Sequence, residues 1–266
     1  MTLRQQAPLA VSAPIKLYVR VQNMGEFVLE DAREYVIPIF TVRGEGEGVY
    51  LESRVFLGTA FFVTKRGDAI TAGHVIPSPD ELKNGHRLVA IVQKDGEAKV
   101  CWITHAAKFD SFDLALVHIN LENTKYLDVT TQEVSAGTDV QVVGIPSHEV
   151  WGSGKEMRLL KGHVTLSHKY LELNFPVPAG MSGSPLFVGT KVAGYLTGTV
   201  RSEEIEETTE EVEEVTDKKE VIRITESRRV IHYGLTYPFS RLKDIRDPVL
   251  DNKTLFDFIT QQNHEP

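Results

Sequence analysis

Short runs rich in apolar residues, some alternating with polar positions and others nearly continuous, recur along most of the chain. The runs are Ile15–Val21, Tyr35–Val42, Val55–Val63, Arg87–Gln93, Lys99–Thr104, Leu114–Ile119, Val140–Ile145 and Leu159–Leu173. They are rich in Val, Ile, Thr and aromatics and are bounded by Gly, Pro and Asp, which is the signature of β-strands. Many strands with few helical patterns predict an all-β protein, a sandwich or barrels. Helical spacing is confined to the end of the chain. Ser240 is placed to cap a short helix over Arg241–Arg246. Asn252 or Thr254 can start another, with Leu255, Phe256, Phe258 and Ile259 on its apolar side.

Composition narrows the class. The chain has 266 residues, 41% hydrophobic and 25% charged, an ordinary globular balance. This excludes a collagen, a coiled coil and a wholly disordered chain. No stretch approaches the roughly 20 apolar residues that span a bilayer, so no membrane association is expected. Pro8, Pro14 and Lys16 interrupt the apolar run near the start, so no signal peptide is read. The single cysteine, Cys101, excludes an intrachain disulfide and fits a reducing, cytoplasmic compartment.

Charge is concentrated in one place. Residues 203–220 hold ten acids and two lysines, a balance of −8 that equals the net charge of the whole chain. With the remainder neutral, no basic surface for a nucleic acid is indicated. The acidic segment 202–220 interrupts the strand pattern and reads as a solvated loop or projecting hairpin. Its functional alternative is an interaction arm or a gate over a cleft.

Three motifs carry candidate chemistry: Thr71-Ala72-Gly73-His74-Val75, Asp113-Leu114-Ala115-Leu116 and Gly180-Met181-Ser182-Gly183-Ser184-Pro185. Each alone reads as a structural histidine, a turn aspartate and a tight turn. Together they supply a base, its orienting acid and a nucleophile. A serine hydroxyl is a poor nucleophile until an imidazole can take its proton. A carboxylate on the other ring nitrogen fixes the tautomer. The amides of Gly180 and Ser182 can converge on an oxyanion. Asp110 competes for the acid's role, but Asp113 adjoins the apolar run and Asp110 reads as a turn residue. His163 and His168 read as exposed strand histidines; no third ligand spacing stands out, so no metal and no cofactor are expected.

The His, Asp, Ser order and these motifs resemble the chymotrypsin-like (trypsin-like) serine proteases, over about residues 56–245. The resemblance implies two perpendicular six-stranded antiparallel β-barrels, to which the C-terminal spacing adds short helices, with His74, Asp113 and Ser182 as catalytic residues. It implies an oxyanion hole from Gly180 and Ser182, and hydrolysis of polypeptide substrate through an acyl-enzyme. It divides the chain into an extension (1–50) packing on the barrels, a protease domain (51–248) with the acidic insertion, and a helical tail (249–266). Met181 stands where digestive members have an aspartate that pairs with a newly cut N-terminus. That departure and the lack of disulfides resemble the bacterial HtrA-type branch, here without a PDZ module. Competence without a proteolytic cut is therefore expected, with control by a regulatory protein partner or self-association. Substrate contacts are implied at Pro176, Tyr195, Leu196, Thr197, Gly198 and Thr236, and no acid near Pro176 suggests selectivity for Lys or Arg. A small or medium apolar side chain is expected there. The reading from another class is an inactive protease fold serving as an interaction module through its acidic segment.

Overall fold

The structure is a computed structural model. It describes residues 32–45, 48–78, 80–82, 86–94, 97–122, 124–147, 157–201, 205–213, 221–229, 232–247 and 250–264. The expected strand Ile15–Val21 lies outside the described residues.

Two closed antiparallel barrels of six strands account for the strand pattern. The first is built from β1 (Val36–Glu45), β2 (Gly48–Phe62), β3 (Asp68–Ala72), β4 (His86–Lys94), β5 (Glu97–Phe109) and β6 (Leu114–Ile119), in the spatial order β1-β2-β3-β6-β5-β4. The second is built from β7 (Asp139–Gly144), β8 (Arg158–Ser167), β9 (Leu171–Leu173), β10 (Pro185–Val188), β11 (Lys191–Arg201) and β14 (His232–Pro238), in the order β10-β11-β14-β9-β8-β7. Between β11 and β14 the chain forms a separate two-stranded ribbon, β12 (Ile205–Glu213) with β13 (Val221–Arg229). Residues 205–213 of the acidic segment thus form one strand of a hairpin, one of the two forms expected for it.

Burial on both faces explains the near-continuous apolar runs. Alternate residues of a strand point to opposite sides. In β2, Phe62 joins the interior of the first barrel with Ile37, Ile39 and Val117. Its neighbour Phe61 faces the other way, into a core shared with Ile70, Leu114, Phe187, Tyr195 and Tyr237. The second barrel has its own interior, with Val142, Leu173, Met181, Leu186 and Leu196. Each such side chain removed from water contributes roughly 1.5–3 kcal/mol before chain entropy is counted. The shared cluster therefore bonds the two barrels together.

Three boundaries differ from the sequence reading. First, β1 pairs with both β2 and β4, so the first barrel begins before residue 51 and takes in residues assigned to the extension. Second, Leu159–Leu173 is two strands, because His168–Tyr170 turns the chain and the His168 amide donates to Tyr170 O at 3.0 Å. Third, the helix expected over Arg241–Arg246 is a single 3-10 turn, Phe239–Arg241. Phe239 and Leu242 are both buried in the shared core, and an i→i+3 bond (Leu242 N to Phe239 O, 2.9 Å) brings them to one side.

The last helix, α1 (Leu255–His264), forms as its apolar spacing predicts. Thr254 caps it: its Oγ1 accepts from the Asp257 amide at 3.1 Å and its own amide donates to Asp257 Oδ2 at 3.3 Å. Leu255 and Ile259 enter the shared core. Asn263 binds the β2–β3 turn, accepting from Lys65 N at 3.1 Å and donating to Val63 O at 3.0 Å. Among the described residues no helix is long and apolar enough to cross a membrane.

Candidate active site

His74 and Asp113 meet because β3 and β6 are neighbours that run antiparallel. Ala72, the last residue of β3, pairs with Leu114, the first of β6. The residues just beyond each strand end are then brought side by side. Gly73 N donates to Asp113 O at 2.7 Å. A Cβ on Gly73 would lie 3.0 Å from the Asp113 carbonyl carbon, so a larger residue would crowd this approach. The His74 amide donates to Asp113 Oδ1 at 2.8 Å. The ring Nδ1 lies 3.1 Å from Oδ1 and 2.9 Å from Oδ2. Nδ1–H therefore donates to the carboxylate, which leaves Nε2 as the basic nitrogen. Asp113 is half-buried (35% side-chain exposure) rather than enclosed, and His74 is exposed at 49%.

Asp113 takes the left-handed conformation, φ 50° and ψ 44°. Such a residue costs of order 1–3 kcal/mol and persists where its surroundings hold it. Its amide donates to Asp110 O at 3.3 Å, which closes the 3-10 turn Asp110–Phe112. Asp110 is thus the exposed turn residue, as expected. From the second barrel, the Tyr195 hydroxyl donates to Phe112 O at 2.7 Å. Burial pushes the Tyr195 hydroxyl far up from its ordinary range, so it stays a donor.

The Ser182 loop belongs to the second barrel but is tied to the first. Thr59 N, in β2, donates to Ser182 O at 2.9 Å, and Thr59 Oγ1 donates to Gly180 O at 3.0 Å. The same hydroxyl accepts from Ile145 N at 3.2 Å. Thr71 Oγ1, three residues before His74, donates to Thr59 O at 2.7 Å. Gly183 has φ +85°, and a Cβ there would run into Thr59 O and Thr71 Oγ1 and lie 3.0 Å from Ala72 N. The loop carrying Ser182 is therefore packed on the residues that lead into His74. Gly180 has φ +93°. Among the described residues neither the Gly180 nor the Ser182 amide donates to a backbone carbonyl. Ser182 is half-buried, whereas Ser184 is fully buried with its Oγ against Gly144. Met181 is also fully buried, among Leu186, Leu173 and Val142.

The expected substrate contacts divide. Tyr195 and Leu196 are fully buried, the first in the shared core and the second inside the second barrel. Their side chains cannot line a cleft, because this strand lies between two cores and is covered on both faces. Thr236 is also fully buried, and its Oγ1 has no hydrogen-bond partner. Pro176 is exposed, and Thr197 and Gly198 are half-buried. A Cβ on Gly198 would meet open space, while Thr197 Oγ1 donates to Leu235 O at 3.2 Å. Thr199 Oγ1 donates to Val177 O at 3.2 Å, tying β11 to the segment that follows Pro176. His163 lies on β8 and His168 in the turn that follows it. No group of three or more potential metal ligands occurs among the described residues.

Sequence reasoning missed Thr59. Its signal was a lone hydroxyl in the apolar run Val55–Val63, since a buried polar group must find partners.

The uncharacterized protein y4bJ of Sinorhizobium fredii is 29% identical over 135 residues, 48% of this chain. The match spans 20% of that relative's length. Among solved structures, Deg5 is 18% identical, with a TM-score of 0.51, covering 64% of this chain and 82% of Deg5. It shares the fold. The serine endoprotease of Yersinia pestis is 16% identical with a TM-score of 0.46, covering 64% of this chain and 56% of its own. The family model for the trypsin-like peptidase domain matches residues 58–194. That stretch holds the end of β2, the His74 and Asp113 pair and the Ser182 loop, and the chain belongs to the trypsin-like peptidase family.

Proposed function

We propose that this chain is a serine endopeptidase in which Ser182 is the nucleophile, His74 the general base and Asp113 the residue that orients His74. The observation that carries this reading is the carboxylate of Asp113 on both His74 N and His74 Nδ1, beside a serine loop fastened by Thr59. Ser182 Oγ attacks the peptide carbonyl carbon while His74 Nε2 takes the hydroxyl proton. The oxyanion is received by the Gly180 and Ser182 amides. His74 then gives its proton to the leaving amine, and an acyl-enzyme remains on Ser182. Water, deprotonated by the same nitrogen, releases the acid and restores the hydroxyl.

Met181 supports competence without a proteolytic cut. Its side chain fills the second barrel's core, so loop order comes from apolar packing and not from an ion pair with a new N-terminus. With Pro176, Thr197 and Gly198 read as the substrate pocket, no charged side chain lines it, which favours a small or medium apolar substrate side chain.

A fluorophosphonate probe tests the assignment. The parent chain should label covalently, and Ser182→Ala should abolish labelling and lower hydrolysis by about four orders of magnitude or more. Asp113→Asn should keep the fold and lose about four orders of magnitude, because the wrong tautomer is favoured. Labelling that persists in Ser182→Ala defeats the proposal.

A further inference from the structure

A second histidine in the first barrel is also held by a carboxylate. His118 Nδ1, on β6, lies 2.9 Å from Asp68 Oδ1, on β3. The Asp68 side chain is only 9% exposed, and its other oxygen accepts from Thr64 Oγ1 at 2.7 Å. Val117 and Ile119 point into the barrel, so His118 points outward, with 39% of its side chain exposed. With Nδ1–H given to Asp68, Nε2 is left as the basic nitrogen. Metal-binding histidines are held in this way, by a carboxylate on the ring nitrogen that does not bind the metal.

The residue opposite His118 on β5 is a second histidine, His105, its ring centre 6.3 Å away. A β-bulge puts it there. Ile103 pairs with Ile119, so in a regular ladder Thr104 would face His118. The bulge sets Thr104 aside and brings His105 into register. Thr104 Oγ1 then lies 3.1 Å from His105 Nδ1, which leaves Nε2 of this ring uncommitted among the described residues.

We propose that His105 and His118 together bind a divalent transition-metal ion on the outer face of the first barrel, with Asp68 orienting His118. Tetrahedral coordination at about 2.0–2.1 Å from each nitrogen sets two imidazole centres roughly 5 Å apart. The exposed His105 can close the remaining distance by rotating its side chain. Imidazole ligands suit zinc, copper and nickel, whereas calcium and magnesium call for oxygen. Solvent supplies the remaining ligands. The pair sits at the opposite end of the β3–β6 ladder from His74 and Asp113: His118 and Asp113 are five residues apart along β6, about 16 Å at about 3.3 Å per residue. The inference therefore stands apart from the proposed peptidase activity.

Zinc titration of the full chain by calorimetry, with competition against a chromophoric chelator, tests this. His105→Ala should weaken the tightest site at least tenfold, and Asp68→Asn by about 10–100-fold. His74→Ala should leave that affinity unchanged. Copper-loaded protein should show nitrogen hyperfine splitting from two imidazoles, and from one in His105→Ala. Asp68 is buried and its variant risks the fold, so the exposed His105 decides the matter. A folded His105→Ala protein whose tightest affinity falls by less than tenfold overturns the proposal. So does loss of the site in His74→Ala.

Discussion

Tyr195→Phe isolates one hydrogen bond that crosses between the barrels. The ring stays: it is stacked on Tyr237 at 6.0 Å and 20°, tilted against Phe239 at 5.7 Å, and Phe112 meets Tyr237 edge-on at 5.8 Å. Only the hydroxyl is lost, with its 2.7 Å bond to Phe112 O. A buried carbonyl left without its donor costs about 1–3 kcal/mol. Phe112 is half-buried, so water can reach part of that carbonyl and the lower half of the range applies, about 1–2 kcal/mol. For a chain of this size the melting temperature should fall by roughly 2–8 °C. The next residue is Asp113, in its left-handed conformation. If the same ~1–2 kcal/mol holds the acid against His74, kcat should fall by about fivefold to thirtyfold with KM unchanged, since each 1.4 kcal/mol is tenfold. Burial holds the Tyr195 hydroxyl protonated well above its ordinary range. The deficit should therefore be constant across neutral and mildly alkaline pH. Urea denaturation and steady-state kinetics on a small uncharged substrate give both quantities. A variant with parental stability and parental kcat would refute the reasoning, because the hydroxyl would then brace nothing.

Two further outcomes follow from the loops around the site. Gly183→Ala should lower activity at least 100-fold and destabilise the protein, because the added methyl runs into Thr59 O and Thr71 Oγ1 at a left-handed position. Gly189→Ala has a comparable positive φ but nothing within 4 Å, so it should cost only about 1–2 kcal/mol and keep its activity. Replacing residues 202–231 by a short Gly-Ser turn should preserve the barrel, since Arg201 and His232 are already paired across the gap. If the acidic hairpin steers substrates, this deletion should shift the ratio of rates on basic and acidic peptides several-fold at low salt. The shift should vanish at high salt, where charges beyond about 3 Å are screened. An unchanged ratio marks the hairpin as passive.

What could be read from the sequence was local. Thr71–Val75 and Asp113–Leu116 announce a strand end and a strand start, and their short motifs need no knowledge of the partner strand. Barrel membership was not readable in this way. Tyr35–Val42 reads clearly as a strand, yet nothing in it says that β1 closes the first barrel by pairing with β4, more than 40 residues on. Tyr195 and Leu196, implied as substrate contacts by the family resemblance alone, both have buried side chains, because β11 passes between two cores. The turn at His168–Tyr170 has neither Gly nor Pro to mark it. Charge made the acidic segment visible, but the pairing of its residues 205–213 with β13 is a matter of register that charge does not specify.

The same distinction explains which contacts set the site. His74 and Asp113 are joined by the end of one antiparallel ladder, so the first barrel brings them together. Ser182 comes from the other barrel, and no ladder connects it to them. Its place depends on bridging polar bonds: Thr59 N to Ser182 O, Thr59 Oγ1 to Gly180 O, and Thr71 Oγ1 to Thr59 O. Tyr195 to Phe112 O crosses in the other direction. Apolar packing between the barrels supplies most of the attraction but is tolerant of small slips, since similar shapes repack. Hydrogen bonds to specific carbonyls are not, because a shift of one ångström leaves a buried group unpaired. The shared core thus holds the barrels together, while Thr59, Thr71 and Tyr195 hold them in register. Alterations to those three should therefore lower catalysis as well as stability, as Tyr195→Phe is expected to do.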